Sequence, residues 1–299
     1  MTDTFRICSI PDSGGFADGN SAGLAWDILH RTATHRVPDI LDLSACVHLK
    51  PYAIACLCGL AELAKNAGSS IQVIPPTNEG CYQHLSRLGL PTFFEGDWHT
   101  SLPRDSNICI HRVGWPPGNE GERIVEVLAP RTNLAPGIFP RMVEGLDEII
   151  LNALTHAASP VDCIVAGQAF PTTGKVELAV LDLGQTIKLH LTSNPKYMNV
   201  QDDESAILKA LEEGVTGTPA GHRNSRGEQN SGAGLAFLRE YCETGAGELT
   251  ILSGNRWITC SESQSPVIGH FQGHFTGCLV NIRYYVDRNL ESSNIVPIL

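Results

Sequence analysis

Between Arg141 and Ala158 the apolar residues Met142, Val143, Leu146, Ile149, Ile150, Ala153, Leu154 and Ala157 recur at steps of three, four or one. That spacing predicts an amphipathic helix whose broad stripe packs on a sheet. Lys175 to Leu181 sets Val176, Leu178 and Val180 against Lys175 and Glu177, a period of two that predicts a strand running into Asp182-Leu183-Gly184. Further on, Glu204 to Glu212 reads as a helix, Gly232-Ala233-Gly234-Leu235-Ala236-Phe237 opens another, and Glu248 to Leu252 reads as a strand after Gly245-Ala246-Gly247.

The first third of the chain alternates the two periods. Strands are predicted over Phe5 to Ile10, Asp39 to Leu43 and Ile71 to Ile74. A helix is predicted over Pro51 to Asn66, with proline in its first turn and Gly68 beyond its end, and a second over Glu79 to Leu88 before Gly89. This βαβα layout predicts an α/β domain. Between Gly96 and Pro140, Pro103, Pro116-Pro117, Pro130, Pro136 and Pro140 punctuate two short segments, Ile108 to Val113 and Glu122 to Leu128. A junction is predicted there near residue 105, giving domains 1–105 and 106–299.

Length supports the division, since 299 residues and 32.2 kDa correspond to about two ordinary domains. Hydrophobic residues make up 42% and charged residues 18%, the balance of a globular chain. Charge narrows the partners: 21 bases against 32 acids give −11, which argues against a broad phosphate-tracking surface, so no nucleic acid is expected. The start, MTDTFRICSIPD, has no apolar stretch of signal-peptide length, and the most apolar window, Tyr52 to Ala64, spans thirteen residues and contains Glu62. A cytoplasmic protein without a membrane span is expected, and its ten cysteines are expected to be reduced. Cys56 and Cys58 read as core. Cys260, His270, His274 and Cys278 include the residue types of a zinc site, against which stand the irregular gap and the Gly-rich loop predicted around the histidines.

Candidate chemistry begins on the helix. Glu148, Asn152 and His156 lie four apart and form one polar row beside the apolar stripe. A carboxylate and an amide oxygen one turn apart can orient a water and hold a hard cation such as Mg²⁺. The same row also fits a solvated face, and His156, beside Ala153 and Ala157, fits a packed histidine. Three features join it in order. Asp182 at a sheet mouth can accept from an exocyclic amine such as that of adenine. Val215 to Ser231 is a long loop dense in Gly, Asn, Ser, Arg and Thr. The small residues from Gly232 let backbone N–H groups approach a phosphate at a helix start.

With these residues in order, positions 140–285 resemble the ATP-binding domain of the GHKL superfamily, which includes gyrases, heat-shock chaperones and histidine kinases. Glu148-Ile-Ile-Leu-Asn152 with Ala153, His156 and Ala157 resembles the N-box, Asp182-Leu-Gly184 the first glycine box, and Gly232-Ala-Gly234-Leu235 the second. The resemblance implies an α/β sandwich of the Bergerat type that binds ATP and Mg²⁺ under a mobile lid, here about Lys188 to Asn230. By it, Asn152 holds Mg²⁺, Asp182 binds adenine, Gly184 shapes the adenine pocket, Gly232 and Gly234 with Leu235 cradle phosphates, and Glu148 is the general base. Arg223 and Arg226 in the lid are the candidates for the γ-phosphate. Two positions depart from the pattern: Thr186 stands at the second glycine of the first box, and Cys278 follows Gly277 where threonine is common. Binding rather than fast turnover is the expectation. A Walker-type loop is absent, since Gly174-Lys175 is followed by Val176 and lacks glycine at position 169.

The first hundred residues, with Ile40-Leu-Asp-Leu-Ser44, the helix from Pro51, the strand to Ile74 and the helix ending Leu88-Gly89-Leu90, resemble a STAS domain, the fold of anti-sigma-factor antagonists. In phosphorylated members an Asp-Ser pair begins the helix; here Lys50-Pro51 stand there. The resemblance therefore implies a docking or structural module rather than a phosphoacceptor. Together the two likenesses imply a slow ATPase that couples nucleotide state to a protein partner, with homodimerisation common in such families. The alternatives are a serine protein kinase like the anti-sigma kinases and an ATP-binding switch without chemistry.

Overall fold

Helix α2 (Pro51–Asn66) stands at the centre of the architecture. Pro51 presets the first turn, Lys50 before it is extended, and the chain leaves the helix through Ala67 into Gly68, whose φ is 75°. Thirteen of its sixteen residues are buried. A helix that is apolar all round is stable only where every face has a partner, and α2 has partners on both sides. A computed structural model of the chain describes residues 2–8, 22–99, 110–132, 139–155, 158–170, 174–217, 232, 234–262 and 265–285.

On one side lies a parallel sheet of β1 (Thr4–Arg6), β2 (Ile40–Asp42) and β3 (Gln72–Ile74), in that order, with Leu41 paired to both Phe5 and Val73. Helices α1 (Ala22–Ala33) and α3 (Glu79–Leu88) belong to the same unit. The Asn78 side chain accepts from the Cys81 N–H at the start of α3, and Gly89 ends it in the left-handed region. The predicted helices 51–66 and 79–88 match these bounds, whereas the strands are only three residues each; positions 9 and 10 of the first predicted strand lie outside the described residues.

On the other side is an antiparallel sheet of five strands, ordered β4 (His111–Val113), β5 (Cys163–Phe170), β6 (Lys175–Asp182), β8 (Val267–Tyr285), β7 (Gly247–Cys260). Its strands alternate between two cores. Val176, Leu178 and Val180 of β6 join Leu146, Ile149 and Ile150 of α5 (Phe139–Thr155) and Phe237 and Leu238 of α8 (Gly234–Tyr241). Ala179 and Leu181 face the opposite way and join Ile54, Leu57 and Leu60 of α2. The predicted junction near residue 105 falls outside the described residues and between the two sheets, but hydrophobic packing crosses it: one core holds Phe5, Leu41, Leu57, Ile164, Leu181 and Leu279 together.

Polar links cross that junction and also tie the antiparallel sheet internally. Arg112 on β4 pairs with Glu62 on α2 at 2.7 Å and lies over the Phe93 ring at 4.0 Å. Four strands carry Gln168, Glu177, Arg283 and Glu248 in one transverse row, in which Arg283 Nε donates to Glu177 at 2.8 Å and its Nη1 donates to Glu248 at 2.7 Å.

The remaining helices are α4 (Glu120–Thr132), whose Gly121 N–H donates to Asp147 of α5 at 2.9 Å, and the short α6 (Ile187–Thr192) and α7 (Asp203–Ala210). Strand β7 continues to Cys260, well past the predicted Leu252, and β8 runs back beside it; His270 and His274 therefore lie in a strand, not in a Gly-rich loop. Among the described residues no helix is long and apolar enough to cross a membrane.

Candidate functional site

The alternation of β6 delivers Asp182 to the α5 side of the sheet, at the strand's last position. It opens into a cleft of about 830 Å³, mouth included, bounded by α5, the ends of β6 and β8, α6, and the Val215–Gly217 and Gly232 segments. Glu148, Asn152, Asp182, Gly232 and Leu235 all line it. Five of the predicted site residues, drawn from three separate stretches of sequence, thus meet in one place.

Asp182 is 6% exposed. Burial raises its pKa from 3.8 to about 7, although the backbone N–H groups of Gly184 and Cys278 donate to it and favour its charged form. The Gly184 bond is 3.0 Å long. Gly184 itself is not among the cleft-lining residues, so its contribution is this hydrogen bond, which holds the carboxylate. Gly277 precedes Cys278 at φ 92°, where a side chain would run into the Asp182 backbone. The Cys278 thiol lines the cleft, and burial, with the neighbouring Asp182 charge, pushes its pKa well up.

Thr186 has a local task that glycine could not perform. Its hydroxyl accepts from the Leu189 N–H at 3.2 Å and caps α6. Ser253 adds to the corner: its hydroxyl accepts the Ile187 N–H at 3.0 Å and donates to the Gly277 carbonyl at 2.7 Å, so α6, β7 and β8 are tied beside Asp182. The capped helix brings His190 and Leu191 to the cleft wall. Sequence reasoning passed over Gln185, His190 and Thr216 as lining residues; the Thr186 capping position was the available signal for α6.

Across the cleft, Glu148 accepts the Gly234 N–H at 2.7 Å, which puts its carboxylate on the first residue of α8. A side chain at Gly234 would lie 2.8 Å from the Glu148 Cβ, so only glycine permits the approach of α8 to α5. Gly232 holds φ at 65°, and a Cβ there would lie 2.6 Å from the Val215 carbonyl oxygen. The Gly214 N–H donates to the Gly232 carbonyl at 3.2 Å, which brings the two ends of the intervening loop together. Three of the residues singled out in the sequence, Arg223, Arg226 and His156, lie outside the described residues.

The cleft gathers hydrogen-bonding groups of several kinds. A buried carboxylate acceptor stands at the sheet mouth, an amide oxygen and a carboxylate stand one turn apart on α5, and a helix start faces them. Magnesium takes few protein ligands and keeps waters and phosphate oxygens, so the Asn152 amide oxygen is the group on this wall that could hold one. Among the described residues no group of three or more His, Cys, Asp or Glu side chains is arranged to hold a metal ion. The possible zinc cluster of Cys260, His270, His274 and Cys278 is therefore not assembled: strand pairing sets Cys278 opposite Asp182 while His270 pairs with Arg256 further along the arm.

No known protein-family model and no curated protein sequence matches this chain with significance.

Proposed function

We propose that this protein binds ATP with Mg²⁺ in the α5–β6–α8 cleft as a GHKL-type domain and hydrolyses it slowly, coupling nucleotide state to a protein partner through its STAS-like N-terminal unit in the cytoplasm. The observation that carries the reading is the meeting of Asp182, Asn152, Glu148 and Gly232 in one cleft. In this reading the Asp182 carboxylate accepts from the adenine amine. Asn152 supplies the protein oxygen to Mg²⁺, and the ion neutralises phosphate charge when bound. Gly232 and the start of α8 receive phosphate oxygens through backbone N–H groups. Glu148 takes a proton from the water that attacks the terminal phosphorus, the bond to the bridging oxygen breaks, and ADP and phosphate leave.

The second reading, a switch that binds ATP without chemistry, has its own support. Glu148 is engaged by the Gly234 N–H at 2.7 Å, and a carboxylate held on a helix start is a weaker base than one facing water.

Calorimetry with ATP, ADP and GTP, with and without Mg²⁺, tests the binding, beside an Asp182→Ala control. Mg²⁺-dependent ATP binding that the control loses is the expected result; no binding by the native chain refutes the nucleotide reading. A phosphate-release assay on the same preparation then separates the slow ATPase from the switch.

A further inference from the structure

Strand β6 is shared by two layers. Its alternation sends Asp182 into the cleft and its neighbours Leu181 and Leu183 to the α2 side, so no further layer separates α2 from the residue proposed to bind adenine. Gly59 lies in the middle of α2, where glycine is among the least favourable helix residues. Distance explains it. A Cβ at position 59 would lie 3.0 Å from Leu181 Cδ2 and 3.1 Å from Leu183 Cδ1. Both leucines are 1% exposed, so neither has solvent to turn into. The bare helix backbone rests on the two side chains that flank Asp182.

The contact is stiff from both directions. Helix α2 is buried on all sides and anchored through Glu62 to Arg112 of β4 at 2.7 Å. Leu183 is held by its N–H, which donates to the Ser159 hydroxyl at 3.2 Å, and Asp182 by the N–H groups of Gly184 and Cys278. Close-packed interiors pass a displacement on to what they touch rather than absorbing it. A shift of α2 toward the sheet presses on β6 and on β5 beside it, and at Gly59 the groups it meets are Leu181 and Leu183.

We infer that Gly59 is a positioning residue through which the N-terminal unit sets the place of Asp182, so that the state of that unit regulates purine binding in the cleft. The inference rests on the nucleotide reading above and adds to it the route of regulation. Linkage makes the coupling reciprocal: a nucleotide that tightens the Asp182 corner also tightens α2.

The test uses the full chain with Gly59→Ala and the bulkier Gly59→Val, titrated with Mg²⁺-ATP by calorimetry, and thermal unfolding of each. Affinity is expected to fall roughly threefold or more for alanine, within the range of packed-network mutations, and further for valine. Adding Leu181→Val to Gly59→Ala makes room and is expected to restore most of the loss. Leu85→Ala in α3, a buried truncation outside the α2–β6 contact, is expected to lower the unfolding temperature and leave affinity unchanged. Folded Gly59 variants that bind like the native chain overturn the inference, as does a loss that Leu181→Val does not relieve or that Leu85→Ala reproduces. Failure of the native chain to bind Mg²⁺-ATP at all overturns the nucleotide reading and this inference with it. Native binding with unaffected variants overturns the coupling alone.

Discussion

The Glu148 carboxylate accepts the Gly234 N–H at 2.7 Å, although the two residues are 86 positions apart. The side chain proposed to activate water therefore sits on the helix start proposed to receive phosphate. A carboxylate and a phosphate seek the same positive helix end, so in the proposed function a phosphate at α8 competes with Glu148 for it.

Replacing Glu148 with glutamine keeps an acceptor for Gly234 and removes the negative charge. Glu148→Gln is expected to bind Mg²⁺-ATP roughly three- to tenfold more tightly, since like charges in a partly buried site repel, and to release phosphate about a hundredfold or more slowly. Calorimetry and phosphate release on one preparation measure both. Weaker binding by the glutamine variant would contradict the competition at α8.

The raised pKa of Asp182 has a definite sign. Its folded value of about 7 exceeds the ordinary 3.8, so between those values the folded chain holds a proton that the unfolded chain has lost. Stability from this group is full below about pH 4 and is lost as pH rises to about 7, by roughly 4 kcal/mol at most. Urea unfolding of the native chain and Asp182→Asn between pH 5 and 8 reads it: the stability advantage of asparagine should grow with pH and level off above about 7. An unchanging difference would place the Asp182 pKa outside that window.

The same proton bears on binding. Donation from an adenine amine favours the carboxylate, so affinity for Mg²⁺-ATP is expected to fall as pH drops below about 7, by up to about tenfold per pH unit. Titrations at pH 5.5, 6.5 and 7.5 test this, and Asp182→Asn should show no such slope.

Gly232→Ala should act on the cleft more than on the fold. Alanine at φ 65° costs about 1–2 kcal/mol, and its Cβ would crowd the Val215 carbonyl at 2.6 Å. An affinity loss of about tenfold, equal to 1.4 kcal/mol, with a small change in unfolding temperature is the expected outcome. Unaltered binding would remove Gly232 from the phosphate site.

Glu177→Ala probes stability at the other end of the sheet. Glu177 and Arg283 have side chains only 2% and 6% exposed and lie 2.8 Å apart. Removing one member of a buried pair costs about 3 kcal/mol, moderated here because Arg283 keeps Glu248 at 2.7 Å. Chemical denaturation measures the cost, and a loss under about 1 kcal/mol would mean that Glu248 alone satisfies the guanidinium.

Local signals carried much of the fold. The predicted bounds 51–66 and 79–88 coincide with α2 and α3 because Pro51, Asn78 and Gly89 act on backbone torsions within a turn of themselves. Strand β5 escaped notice for a physical reason: from Cys163 to Gln168 it is buried on both faces, so it has no polar alternation to reveal it. Helix α6 was too short for a periodic pattern, and the β7–β8 arm was underestimated because Gly254 and the glycines of β8 read as breaks, whereas the two strands pair again beyond shifts of register around Gly254.

The order and type of the candidate site residues were legible in the same way. Glu148 and Asn152 share a helix row at a spacing of four, Asp182 ends an alternating strand, and Gly232 with Gly234 precedes a helix. Each follows from neighbours a few residues away. That Asp182 is buried enough to hold its proton near neutrality, that Glu148 caps α8, and that Gly59 rests on Leu181 and Leu183 belong to the tertiary structure. Those properties depend on distance, dielectric and steric room among groups roughly thirty to more than a hundred residues apart in sequence, and chain folding alone brings such groups into contact.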